Sequence, residues 1–356
     1  MDQSDKDTEI ASPTPKTEKP SSGRLLSLDV FRGIAILLML LVNNIGRGKG
    51  APLQLRHAGW SPHVHLADYA FPWFILIVGV AIPFSVASFR AKGLPTWKYD
   101  LRVIKRGVIL FAIGCILLSI DQGRFVFRMG VLQLIAINYV IAAFLYDLPV
   151  HRRIALSMLL LATYWAAIKF VPIPGVGKGI FEEERNLIQY VNVYYLAPVR
   201  AAGLPVVIPT VVLTIIGTLI GDLIRLKDLA PIKKAIWMTS LGVGMIAFGE
   251  LWSLSLEFNK PLWTSPFIML TAGAGLVLLG VLYLVLDVYQ IRKWAFPLIV
   301  FGSNAIVAYA LPILFKMTVL RRFEITTVGL WRTLIFTTFW WAFCWLLYRK
   351  RWFIKI

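Results

Sequence analysis

Acidic residues are scarce in this chain. Of its 356 residues, 19 are Asp or Glu and 37 are Lys or Arg, and charged residues together reach only 16%. A soluble domain of ordinary composition carries about 25%. Set beside a hydrophobic content of 58%, that shortage excludes a soluble globular protein. Cysteine is nearly missing as well. Cys115 and Cys344 each sit inside an apolar run without a CxxC neighbour. Buried, inert thiols are expected, and no cysteine-based zinc site is supported. There are four histidines. Three of them, His57, His63 and His65, share one short segment, a spacing that resembles a metal site. Pro62 interrupts it and no Cys or Asp cluster accompanies it, so no metal is expected. The glycines of Gly175-Val176-Gly177-Lys178-Gly179 lack the spacing and the Ser/Thr of a phosphate loop.

What the chain does have is apolar runs of about 18 residues or more, each long enough to cross a bilayer as a helix. They cover roughly 27–46, 66–89, 103–120, 130–147, 152–171, 204–224, 234–253, 262–286, 295–317 and 331–348. The expected fold class is all-α, a polytopic helical membrane bundle of about ten transmembrane helices, because lipid offers backbone groups no other partner. Residues 1–23, rich in Ser, Pro, Lys and Glu, read as a disordered tail, and 24–356 as one membrane domain. No signal-peptide cleavage pattern precedes the first span, which is expected to stay in the protein. No internal repeat supports an inverted-repeat transporter.

The formal charge is +18. No basic domain stands outside the membrane, so nucleic acid is not an expected partner. The basic residues gather in short loops instead: Arg90, Lys92, Lys98, Arg102, Lys105 and Arg106; Arg225, Lys227, Lys233 and Lys234; Arg349, Lys350, Arg351 and Lys355. If the spans alternate, all three groups fall on one side, which the positive-inside rule makes the cytoplasm. An even number of spans then leaves both termini cytoplasmic. His57 and the loop 172–202 face the opposite compartment.

The first span carries polar groups along one face. Asp29 and Arg32 are neighbours three residues apart. At about 100° per residue, Asn43 returns to within roughly 20° of Arg32 and 40° of Asp29, with Met39 on the same line and Asn43 about 21 Å further along the axis. Lipid penalises such a face, so it is expected to point into the bundle; a snorkelling Arg32 with Asp29 as a helix-start acid is the plainer alternative. Just beyond lies His57. Asp68, at the mouth of the second span, is placed to orient it and raise its basicity, or else serves the helix dipole while His57 is an ordinary loop residue. Pro72, Gly79 and Pro83 predict a kinked or broken second span. Gln133 and Asn304 are amides in apolar helices, available to a ligand or to interhelical hydrogen bonds.

These stretches together resemble the transmembrane acyltransferase family of heparan-α-glucosaminide N-acetyltransferase and its bacterial homologues. The resemblance runs in order through Arg24-Leu25-Leu26-Ser27-Leu28-Asp29-Val30-Phe31-Arg32-Gly33-Ile34-Ala35, Val42-Asn43, His57-Ala58-Gly59-Trp60, Ala67-Asp68 with Phe71-Pro72-Trp73-Phe74, Gly130-Val131-Leu132-Gln133, Asn259-Lys260-Pro261-Leu262-Trp263 and Gly302-Ser303-Asn304-Ala305. It covers nearly all of the chain after residue 23. The chain departs from the family pattern at Leu134, where an Arg is common, and at Arg200-Ala201-Ala202-Gly203, where an acidic motif is common.

The resemblance implies transfer of an acetyl group from cytoplasmic acetyl-CoA to an amino sugar or glycan on the other side, with His57 as base or acyl carrier and Asn43 beside it. Asp29, Arg32, Gln133 and Asn304 are the candidate donor-binding residues, and Arg102, Lys105 and Arg106 are further cations for an anionic donor. Asp68 completes the expected catalytic group. The lipid bilayer, acetyl-CoA and the acceptor are the expected partners, and a homodimer is what the family suggests. A bacterial inner membrane is the expected location. The competing reading is a transporter or flippase that uses Asp29, Arg32 and Asn43 as a polar pathway.

Overall fold

The structure is a computed structural model that describes residues 25–46 and 51–353. The expected tail at 1–23 and the terminal Lys355 lie outside them. Among the described residues, the helices in chain order are α1 (Leu26–Ile45), α2 (Leu66–Arg90), α3 (Thr96–Gln122), α4 (Val131–Leu145), α5 (Val150–Phe170), α6 (Leu187–Val191), α7 (Val207–Arg225), α8 (Pro231–Ser253), α9 (Ser265–Tyr283), α10 (Phe296–Ser303), α11 (Ala305–Phe315) and α12 (Leu330–Arg349). A two-stranded antiparallel hairpin, β1 (Pro172–Ile173) with β2 (Gly177–Lys178), stands between α5 and α6. The glycine-rich stretch is the turn of this hairpin, with Gly175 at φ 72° and Gly177 at φ 117°, backbone that glycine adopts without a steric penalty.

This is a helical, multi-pass membrane bundle. Among the described residues, eight helices are long and apolar enough to cross a bilayer, and the pair Lys293–Ser303 and Ala305–Leu320, bent by 65° at Asn304, makes a ninth span when taken together. The expected span at 130–147 is shorter than read from the sequence. Its helix, α4, has 15 residues, about 22 Å of rise, against a hydrocarbon core of about 30 Å. Extended backbone at Gly130 starts it late, and a turn before Pro149 ends it.

The expected break in the second span is absent. Helix α2 runs unbroken through Pro72 and Pro83. Both prolines are buried, and the Pro83 ring fits against Gly221 of α7. Gly79 works as a packing residue, because a Cβ there would collide with the carbonyl of Thr214. Neighbouring helices hold α2 continuous where proline removes a ladder bond.

Helices α1, α2, α7 and α9 form the inner layer, with α3, α5, α8 and α12 around them. The α1–α10 joint fixes the site. A Cβ on Gly33 would meet the Leu298 carbonyl, and one on Gly302 would meet the Asp29 carbonyl. Small residues let the two backbones touch. The start of α1 has no cap of its own at Leu25. The carboxylate of Asp287 supplies one, accepting from the N–H of Leu26 and of Ser27, both at 3.1 Å. An acid there satisfies orphan donors and complements the helix dipole.

Candidate active site

The polar face of α1 points inward from Asp29 to Met39. Asp29, Arg32 and Met39 line a cavity of about 520 Å³ together with Arg106, Tyr139, Gly302, Ser303 and Tyr309. Met39 and Asn43 line a second cavity of about 740 Å³, which also takes Tyr309, Lys316, Asp121, Arg321 and Glu324. Met39 and Tyr309 are common to both. Arg32 Nη1 donates to Asp29 Oδ1 and to the carbonyl of Gly302, each at 3.2 Å. The second bond ties α1 to the end of α10, two residues before the bend at Asn304. Of the basic loop residues, Arg106 reaches the cavity and lies over the Tyr139 ring at 5.1 Å; Arg102 stacks on Phe89 instead.

The amides divide. Asn43 is exposed and reaches the second cavity; its carbonyl accepts from Lys316 Nζ at 3.1 Å. The buried amide at this end of α1 is Asn44, which donates to Leu40 and accepts from Thr327 and Lys316. Asn304 is fully buried at the α10–α11 bend, between two cavity-lining neighbours. Gln133 stays out of the cavity: it donates to Cys115 Sγ at 3.7 Å and fits against Gly114 and Gly130.

His57 and Asp68 come together at the outer end of α2. His57 Nδ1 is 2.9 Å from Asp68 Oδ1, with the His57 side chain 38% exposed and the Asp68 side chain 1% exposed. The other carboxylate oxygen accepts from the N–H of Ala58 at 3.3 Å and of His65 at 3.0 Å. Asp68 thus starts its own helix and orients the imidazole at the same time, so the two roles left open by the sequence coexist. His65 Nδ1 lies 2.9 Å from the carbonyl of Arg56. Among the described residues no three His, Cys, Asp or Glu side chains group as a metal site.

Sequence reading gave no role to Lys260. Its Nζ lies 2.7 Å from His57 Nδ1 and 3.0 Å from Asp68 Oδ1. Burial lowers the proton affinity of this amine below that of a free lysine, against the pull of the Asp68 carboxylate. The turn that presents it is tightly bonded. Asn259 Oδ1 accepts from the N–H of Leu262, and Thr264 Oγ1 accepts from the N–H of Asn259 while donating to the Glu257 carbonyl. Tyr164 donates to the Leu262 carbonyl at 2.8 Å. A signal did exist, since Asn259-Lys260-Pro261-Leu262-Trp263 was one of the matching stretches.

Comparison with known proteins decides the family. The profile of the family described as heparan-alpha-glucosaminide N-acetyltransferase, catalytic, matches residues 24–256. The chain belongs to this family. Asp29, Arg32, Asn43, His57, Asp68 and Gln133 lie inside the matched region of this N-acetyltransferase family, while Lys260 and Asn304 lie beyond it. Among its relatives, the human heparan-alpha-glucosaminide N-acetyltransferase is 26% identical over 409 aligned residues, covering 94% of this chain and 60% of the human protein. The mouse protein of the same name is 30% identical over 196 residues, covering 46% of this chain and 29% of its own length. The chain therefore spans less than two thirds of the curated relatives it matches.

Proposed function

We propose that this chain is a membrane-embedded acetyltransferase. It takes the acetyl group of acetyl-CoA at the basic, cytoplasmic side and delivers it to an amine or hydroxyl of a sugar or glycan on the opposite side. The observation that carries this reading is the face of α1: Asp29, Arg32, Met39 and Asn43 line two cavities in turn, and α1 then leads into the loop bearing His57. A transferred group needs a path of this kind, from cations to a base.

The residues fit the donor's chemistry. Its nucleotide end is anionic, and Arg32 and Arg106 offer guanidinium donors for phosphate. Asn43 and Asn304 are the amides suited to a thioester carbonyl on which negative charge develops. His57, oriented by Asp68, takes the proton of the acceptor N–H or O–H as the acetyl carbon–sulfur bond breaks and the thiolate leaves, or accepts the acetyl group itself. The names of the relatives support an amino sugar as the acceptor class. At Arg200-Ala201-Ala202-Gly203 the chain has no carboxylate to bind an acceptor hydroxyl or amine, so the acceptor is read only as far as a sugar or glycan. With the short α4 counted beside the nine longer spans the number is even, and the basic loops then support cytoplasmic termini and an inner-membrane location.

The test uses purified full-length protein with acetyl-CoA and an amino-sugar acceptor. Thiol release that depends on acceptor supports the enzyme. Movement of a solute across vesicles with no acetyl-CoA consumed contradicts it in favour of a transporter. Acetyl label trapped on His57 without acceptor marks the covalent route, and sequential kinetics with no trapped label marks direct transfer.

A further inference from the structure

Three atoms meet at the outer end of α2. His57 Nδ1 is 2.9 Å from Asp68 Oδ1 and 2.7 Å from Lys260 Nζ, and Nζ is 3.0 Å from the same oxygen. All three are hydrogen-bond distances, yet Nδ1 carries at most one proton. With an ammonium on Lys260, one edge of this triangle is always repulsive. A protonated Nδ1 then faces a donor that has no lone pair, and an unprotonated Nδ1 faces a carboxylate oxygen with no hydrogen between them. With a neutral amine every edge is attractive. Nδ1–H points to Asp68 and the amine lone pair, and an amine N–H donates to Asp68.

We propose that Lys260 is a positioning residue whose protonation sets the tautomer of His57. The amine form leaves the ring proton on Nδ1 and Nε2 free to act. The ammonium form engages the Nδ1 lone pair and moves the ring proton to Nε2, where it blocks the reacting nitrogen. This rests on the reading of His57 as the group that acts on the acceptor.

Other observations agree. Lys260 is held in place by a bonded turn in which Trp263 takes a left-handed φ of 52°, a conformation that persists only where its surroundings impose it. Burial of the ammonium favours its loss of a proton. The other ionisable groups on the segments that meet here are Arg56, His63 and His65 before α2, Tyr69 on α2, Tyr164 on α5, Glu250 on α8 and Glu257 in the turn after it. Among the described residues, Asp68 and His57 are the side chains bonded to Nζ. The sign follows: as pH rises through the lowered Lys260 value, the free form of Nε2 accumulates and transfer speeds up.

The experiment is nitrogen magnetic resonance of the full chain carrying isotope-labelled histidine, with His57→Ala assigning the signal among the four histidines. At alkaline pH, wild-type His57 is expected as the Nδ1–H tautomer. Lys260→Arg, which keeps its charge, is expected as Nε2–H. Lys260→Met is expected as Nδ1–H wherever the ring is neutral. An Nε2–H tautomer in the alkaline wild type, or one tautomer shared by wild type and Lys260→Arg, overturns the proposal. Transfer kinetics form the second arm. Lys260→Arg should lower kcat by about 10²-fold or more at alkaline pH, leave the donor KM unmoved and abolish the rise with pH. An equal loss in both variants with an unchanged pH profile means a merely structural lysine and also overturns it. Tautomers that follow Lys260 in a protein without acetyl transfer would support the switch while refuting the enzyme reading.

Discussion

Asp68 shows how one side chain serves both helix and site. One oxygen holds the backbone N–H groups of Ala58 and His65, and the other faces His57 and Lys260. Asp68→Asn replaces a charge-assisted bond worth about 2 kcal/mol, so kcat is expected to fall by roughly thirtyfold with donor KM little changed, as steady-state kinetics can check. Arg32→Ala acts at the other end. It removes a guanidinium from the cavity proposed for the donor and should raise the donor KM or Kd by about 10- to 100-fold, measured by acetyl-CoA binding to purified protein. The His57–Asp68 pair was legible because its members lie 11 positions apart and flank one helix start. Lys260 was not, because it stands 203 positions from His57 and only the packing of the α8–α9 turn on the α2 end brings them together. Helical periodicity found the inward face of α1 but could not tell that Asn44, not Asn43, is its buried amide.

At the level of elements, the site depends on a bend in one span and close packing in another. The ninth span breaks at Asn304, and Arg32 bonds the Gly302 carbonyl beside that break. The sequence pointed to the second span instead, because proline is the usual breaker. Burial of Pro72 and Pro83 against neighbouring helices holds α2 intact, a tertiary effect that local pattern does not carry. Gly302→Val tests the joint. Its side chain has no room against the Asp29 carbonyl, and overpacking of this kind costs about 1–3 kcal/mol. A lower midpoint of thermal unfolding in detergent and weaker acetyl-CoA binding are expected together. Asp287→Ala, which strips the cap from α1, should cost about 1 kcal/mol and appear in the same melt.

Across the whole molecule, composition alone read the fold class and most of the spans, because lipid permits so few solutions. It overestimated α4, where an apolar run continues through a helix end. The arrangement of the cavities depended on helix packing and lay beyond that reading. The proposed orientation predicts that a cysteine at Gln54, in the loop before α2, is labelled by an impermeant reagent added outside intact cells, and one at Lys92 only after lysis. The reverse pattern would put His57 on the donor side. Acetyl transfer through His57 is the central step. Its most direct test is the delivery of labelled acetyl groups from acetyl-CoA to an amino-sugar acceptor by purified wild-type protein and His57→Ala, with acetyl-CoA binding measured on both. Transfer by the wild type, loss of transfer in the variant and equal donor binding are expected. Transfer at the wild-type rate by His57→Ala would contradict it.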